Sequence, residues 1–141
     1  MTIYADTSFL VSLYVPDRHS PEAQRRLAAR PAVWLTPLHR AEFTHAVYQH
    51  VFQRKMSTAE AQQVLRDMEE DRAAGVWREA DLPEMAWERS ANLASKHGAR
   101  LGVRTLDSLH VASALELKAE RFWTFDKRQS KLAELEHLKV S

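Results

Sequence analysis

Four carboxylates stand out by their surroundings: Asp6, Glu42, Asp107 and Asp126. Asp6 ends the run Ile3-Tyr4-Ala5, and Asp126 ends Phe122-Trp123-Thr124-Phe125. Both runs have the composition of a strand, and each stops at an acid. Glu42 falls early in a long helical segment, and Asp107 falls near the start of an apolar one. A helix cap or a favourable first-turn charge accounts for such acids one at a time. Asp107 resists that account, because it shares a helical face with Val111 and Ala114. A carboxylate on a buried face needs a donor, a counter-charge or a metal.

If the four meet, they repel and raise one another's pKa values, and a divalent cation resolves the conflict. Mg²⁺ or Mn²⁺ takes oxygen ligands and keeps several waters. Such a centre activates water and steadies charge on a phosphate, which is the chemistry of phosphodiester hydrolysis. Arg18, Arg40, Arg104, Lys127 and Arg128 flank the acids in sequence and are candidates for phosphate contacts. A solvated side chain is the plainer account of any one of them.

Positioning these acids requires strands that alternate with helices. Strands are expected at Thr2–Ala5, Val33–Thr36, Val76–Glu79, Phe122–Phe125 and Leu138–Val140. Helices are expected at Thr7–Tyr14, Pro21–Ala29, Leu38–Lys55, from Ser57 to Gly75, and at Pro83–His97, with Gly98 beyond the last. Two more follow, one from Thr105 and one reaching Leu135. Ser57-Thr58-Ala59-Glu60 is a capping box. Phe43, Ala46, Val47, His50 and Val51 form a stripe at helical spacing, and so do Ala61, Val64, Leu65 and Met68. The section from Ser57 to His97 reads as a helical insertion or clamp on the sheet. The economical architecture is a three-layer α/β/α fold around a mainly parallel sheet. Right-handed crossovers then bring the strand ends, and the acids on them, to one edge.

The bulk numbers bound the rest. At 141 residues the chain makes one domain with one sizeable core, residues 1–141. A net charge of +1 gives no argument for nucleic-acid binding. Cysteine is absent, which excludes disulfides, Cys-ligated zinc and thiol nucleophiles. The N-terminus makes a poor signal peptide, and no apolar run approaches the length of a membrane span. A soluble protein of the cytoplasm is expected.

Asp6-Thr7-Ser8 after the first strand, Glu42 in the long helix, Thr105-Leu106-Asp107 opening a buried helix, and Thr124-Phe125-Asp126 form an ordered set. With these contexts the chain resembles the PIN-domain family over nearly its whole length, and its VapC-type toxin branch most. The resemblance implies an α/β/α fold and a Mg²⁺- or Mn²⁺-dependent ribonuclease. It also implies an RNA substrate, a small antitoxin covering the acidic groove, and a homodimer. On it, Asp6 and Asp107 are the principal metal ligands, and Glu42 and Asp126 complete the pocket. Ser8 and Thr124 then hydrogen-bond the carboxylates or the metal's waters.

Other readings are weaker. His39, Glu42 and His45 are spaced three apart, but the zinc-protease pattern His-Glu-x-x-His is missing. His110, one turn after Asp107, could reach the site, though a histidine on an apolar helix is more often packed and hydrogen-bonded. Trp34, Trp77, Trp87 and Trp123 read as core or interface residues, with base stacking open to one of them. A phospho-acceptor signalling domain would use acids at strand ends, but has no need of Asp107. A non-catalytic binding module of the same fold, a phosphatase and a DNA nuclease remain as alternatives.

Overall fold

The computed structural model describes residues 1–141. In chain order the elements are β1 (Thr2–Ala5), α1 (Thr7–Tyr14), α2 (Ser20–Ala28), β2 (Ala32–Leu35), α3 (Pro37–Phe52) and α4 (Thr58–Ala73). They continue with β3 (Trp77–Glu79), α5 (Ala86–Leu101), α6 (Thr105–Glu116), β4 (Arg121–Trp123), α7 (Lys127–Leu135) and β5 (Lys139–Val140). The strands form one sheet in the order β3-β2-β1-β4-β5, and every pairing is parallel. The expected three-layer fold is the observed one.

The pleat of β1 explains the layers. Ile3 and Ala5 point into one core with Phe9, Leu10, Val33, Phe43 and Met68. Tyr4 points the other way, into a second core with Leu109, Val111, Phe122 and Leu132. Alternation along a strand buried on both faces dictates this division. Helices α1 to α4 therefore cover one face, and α5 to α7 cover the other. Each fully buried Phe or Leu contributes roughly 1.5–3 kcal/mol, so two such cores hold β1 firmly in the centre.

Strand order reverses at β1. The chain moves from β1 outward to β2 and β3, then returns to the opposite side of β1 for β4 and β5. A crevice opens at such a switch point, at the carboxyl ends of the strands. Asp6 leaves β1 there, and its backbone N–H still donates to Trp123 O at 3.0 Å, prolonging the β1–β4 ladder.

Three sequence expectations shift. Gly98 lies within α5, and Gly102 ends that helix in the left-handed conformation, φ 62°. Only glycine takes that φ at no steric cost. The Ser57–His97 section is more than a clamp, because its Trp77–Glu79 pairs with β2 as an edge strand of the main sheet. Leu106, in the stretch expected to open a buried helix, is exposed.

Candidate active site

The local folding that shapes the site uses the acids as caps. Asp6 is the N-cap of α1, where Oδ1 accepts from Phe9 N–H at 3.0 Å. Asp126 is the N-cap of α7 and accepts from Gln129 N–H at 2.9 Å. Asp107 reaches back from α6 to accept the Arg104 N–H at 3.1 Å. Cap and cleft residue are thus one role, not rivals: a helix that starts at a strand end turns its first carboxylate toward the crevice.

Asp6, Glu42, Asp107 and Asp126 all line one cleft of about 480 Å³. Asp6 and Asp107 are buried, while Glu42 and Asp126 are half-buried. Asp6 is held from several sides. Ser8 Oγ donates at 2.9 Å, Thr124 Oγ1 at 2.8 Å and Gln129 Nε2 at 3.1 Å. Ser8 and Thr124, expected to hydrogen-bond the carboxylates or the metal's waters, both donate to Asp6.

The other three acids share a pattern. Glu42 Oε1 accepts from Thr7 Oγ1 at 2.7 Å and from His110 Nε2. Asp107 Oδ2 accepts from the Arg104 N–H and from Arg104 Nε at 3.3 Å. Asp126 accepts on Oδ1 alone. Each keeps one oxygen with no protein donor.

Burial and hydrogen bonding pull the carboxylates apart in acidity. Burial dominates at Asp6 and raises its pKa, against the opposing bonds from Phe9, Thr124 and Ser8. Burial also acts on Glu42, but there His110 and Thr7 outweigh it and hold the carboxyl below its usual range. Tyr4, wholly buried, has its phenol pKa pushed well up by desolvation.

Two further residues of the cleft are not marked out by the local sequence pattern. Gln129 was not singled out, yet it is buried, lines the cleft and bonds Asp6. For His110 the sequence favours a packing role while leaving the site within reach. It is buried, but it also lines the cleft, bonded to Tyr4 Oη at 2.7 Å through Nδ1 and to Glu42 through Nε2. Its position one turn after Asp107 was the available signal.

The five basic candidates scatter. Arg104 lines the acid cleft. Arg18 is exposed, and its Nε lies 3.3 Å from His19 Nε2. Lys127 lines a neighbouring recess with Arg26 and Lys131. Arg40 pairs with Glu69 at 3.7 Å, and Arg128 is exposed outside these recesses. The zinc alternative finds no support, since His39 is buried against Thr36 and Ala5 while His45 is exposed on the Ala41 carbonyl. Trp77 and Trp123 are buried, Trp34 is half-buried under Arg78, and Trp87 is exposed.

No three His, Asp or Glu side chains gather into a ready-made metal cage. The donor set still fits a hard divalent ion. It is all carboxylate oxygen, three of the acids keep an unclaimed oxygen, and Mg²⁺-like ions bind through one or two carboxylates plus waters.

The PIN domain family model matches residues 3–135, and the chain belongs to that family. Solved structures share the fold. VapC20 of Mycobacterium tuberculosis, described as a toxin that cleaves the sarcin-ricin loop, is 20% identical, with a TM-score of 0.69 over 92% of this chain and 93% of that one. FitAcB of Neisseria gonorrhoeae is 17% identical, with a TM-score of 0.70 over 98% and 95%. VapBC2 of Rickettsia felis, solved on a DNA fragment of its promoter, is 16% identical, with a TM-score of 0.66 over 100% and 98%. No curated protein matches the chain by sequence.

Proposed function

We propose that this chain is a metal-dependent endoribonuclease and the toxin of a type II toxin–antitoxin pair. The observation that carries the reading is the cleft at the strand switch point, lined by four acids of which three keep a free oxygen. Membership of the PIN family supports it, as does a fold shared with a toxin and with toxin–antitoxin complexes.

Asp6 and Asp107 are the residues to hold Mg²⁺ or Mn²⁺, with Glu42 and Asp126 completing the pocket. When bound, such an ion lowers the pKa of water and steadies charge on the phosphate. Ser8 has one proton for two Asp6 oxygens, both at 2.9 Å, so its bond is the one an incoming ligand displaces most cheaply. Thr124 and Gln129 keep the carboxylate aimed while that happens. Glu42 orients the attacking water and takes its proton, held in place by His110 and Thr7. Arg104 steadies the phosphate beside Asp107. The antitoxin covers the acidic groove, the toxin acts as a homodimer, and the pair works in the cytoplasm. No helix is long and apolar enough to cross a membrane.

The test is end-mapping of total cellular RNA after incubation with the purified protein and Mn²⁺, beside the Asp107→Asn variant. A few discrete new ends, lost on chelation and in the variant, are the expected result. A folded, antitoxin-free protein that yields no new ends overturns the reading and favours the non-catalytic binding module.

A further inference from the structure

A second recess, of about 450 Å³, adjoins the acid cleft and shares Thr7, Ser8, Glu42 and Asp126 with it. One of its walls is aromatic. The His19 ring stacks on Phe125 at 4.2 Å with 4° between the planes. Phe125 stacks in turn on buried Phe9 at 5.4 Å and 17°. The stack rises from the core and ends at a half-buried imidazole in the recess, so its outer part is both flat and anchored.

Asp17, at the exposed turn between α1 and α2, lines the same recess. Its carboxylate is fixed on two sides, accepting the His19 N–H at 2.7 Å on Oδ1 and Ser12 Oγ at 2.7 Å on Oδ2. The turn is braced as well, since Ser20 Oγ accepts the Asp17 N–H at 2.9 Å. Those hydrogen bonds overcome partial desolvation and hold the Asp17 carboxyl below the usual range. Oδ2 keeps acceptor capacity after Ser12 is served.

A flat aromatic wall and a fixed carboxylate lining one recess suit one class of ligand. Unpaired bases stack on aromatic side chains, histidine included, and are read along their hydrogen-bonding edges. A carboxylate accepts from an exocyclic amino group, as it does from cytosine N4. Uracil has no such group and would set carbonyl oxygens against the charge. A recess of this size holds one base with its sugar. Because it shares a wall with the acid cleft, that base belongs to a nucleotide next to the phosphate held over the acids.

We propose that this recess is a base-binding subsite: an unpaired nucleobase carrying an exocyclic amino group stacks on the His19–Phe125 wall and donates to Asp17, beside the bond to be cut. The subsite rests on the ribonuclease reading for its role, but not for its ability to bind a base.

The probe is a short single-stranded RNA with one 2-aminopurine, an amino-bearing base whose fluorescence falls on stacking. It is titrated in Mg²⁺ against Asp107→Asn protein, so that binding is read without cleavage. Quenching is expected, weakened about tenfold in affinity by adding His19→Ala and restored by His19→Phe. Asp17→Asn should narrow the preference for cytidine over uridine probes by about tenfold. In the otherwise wild-type chain, the same changes should redistribute the RNA ends. If His19→Ala and Asp17→Asn, shown folded by thermal melts, alter neither quenching nor ends, the subsite is overturned. Quenching that survives while the wild-type chain yields no new RNA ends would instead overturn the nuclease reading and leave base binding standing.

Discussion

Gln129 Nε2 donates to Asp6 Oδ2 at 3.1 Å and so ties α7 to the end of β1. That bond offsets only part of the cost of burying Asp6, whose pKa is raised chiefly by desolvation. The folded chain therefore holds more protons than the unfolded one just above the ordinary Asp pKa. Stability falls as pH rises through that window, and at neutral pH the ionised carboxylate is a standing cost. Asp6→Asn removes the charge. Gln129 Oε1, which has no partner now, can accept from the new amide if the Gln129 amide turns over. The variant should lose RNA cleavage by more than about 100-fold, yet melt about 4 °C higher in EDTA, a gain of about 1 kcal/mol. A melting point that drops instead would show that the four donors, not the charge, decide the balance.

Asp126 offers a way to test capping apart from catalysis. Its Oδ1 caps α7, the helix that presents Gln129. Asp126→Ala should cost about 1 kcal/mol of stability together with activity. Asp126→Ser restores a capping oxygen, so it should recover the stability and leave cleavage lost. Urea titrations paired with RNA end-mapping check both halves. Recovery of cleavage by serine would reduce Asp126 to a cap.

Much of this frame could be read from the chain itself. β1 and β4 announce themselves because both are apolar runs that end in an acid, and α6 because it is apolar nearly all round. The Ser57–Glu60 capping box forms as written, with reciprocal bonds of 3.1 Å. What escaped depends on partners far away in sequence. Gln129 meets Asp6 across 123 residues, and His110 meets Glu42 across 68. No local periodicity marks such pairs, because a buried glutamine or histidine in an amphipathic helix looks the same whether it meets solvent, core or carboxylate. The three residues of β3 were legible as a strand but too short to reveal their place in the sheet.

His110 links Tyr4 to Glu42 and gives the site a positioning chain. The Glu42 carboxylate only accepts, so His110 Nε2 donates to it, and Nδ1 accepts from the Tyr4 O–H at 2.7 Å. Burial keeps the Tyr4 phenol protonated and therefore able to donate. Tyr4→Phe should leave Nδ1 without a donor, costing about 1–2 kcal/mol of stability, and lower kcat with little change in KM. His110→Leu should lower kcat further. His110→Gln, whose amide can still donate to Glu42, should retain more of it. Steady-state kinetics on a defined RNA distinguish this from general damage, which would lower all three variants alike.

His39 is buried with both ring nitrogens hydrogen-bonded. Its Nε2 donates to Ala5 O at 2.8 Å, and its Nδ1 accepts the Thr36 N–H at 3.0 Å. Both ring nitrogens are committed in the neutral form, and a proton on Nδ1 would face a donor. Burial, with His110 second, pushes its pKa down to about 3, against about 6.5 in the unfolded chain. The unfolded chain thus binds the extra proton between about pH 6.5 and 3, and stability falls as pH falls through that window, by about 1.4 kcal/mol per unit at most. Carboxylates titrate mainly below pH 5, and the other six histidines are common to the wild type and a His39 variant, so the difference between their curves from pH 7 to 5 isolates His39. His39→Gln should be about 2 kcal/mol less stable at pH 7, because it gives up buried hydrogen bonds between α3 and β1. Its stability should nonetheless change less on acidification, and the two curves should converge toward pH 5 in urea titrations. Parallel curves would place the acid sensitivity elsewhere and leave His39 as an anchor without a titration role.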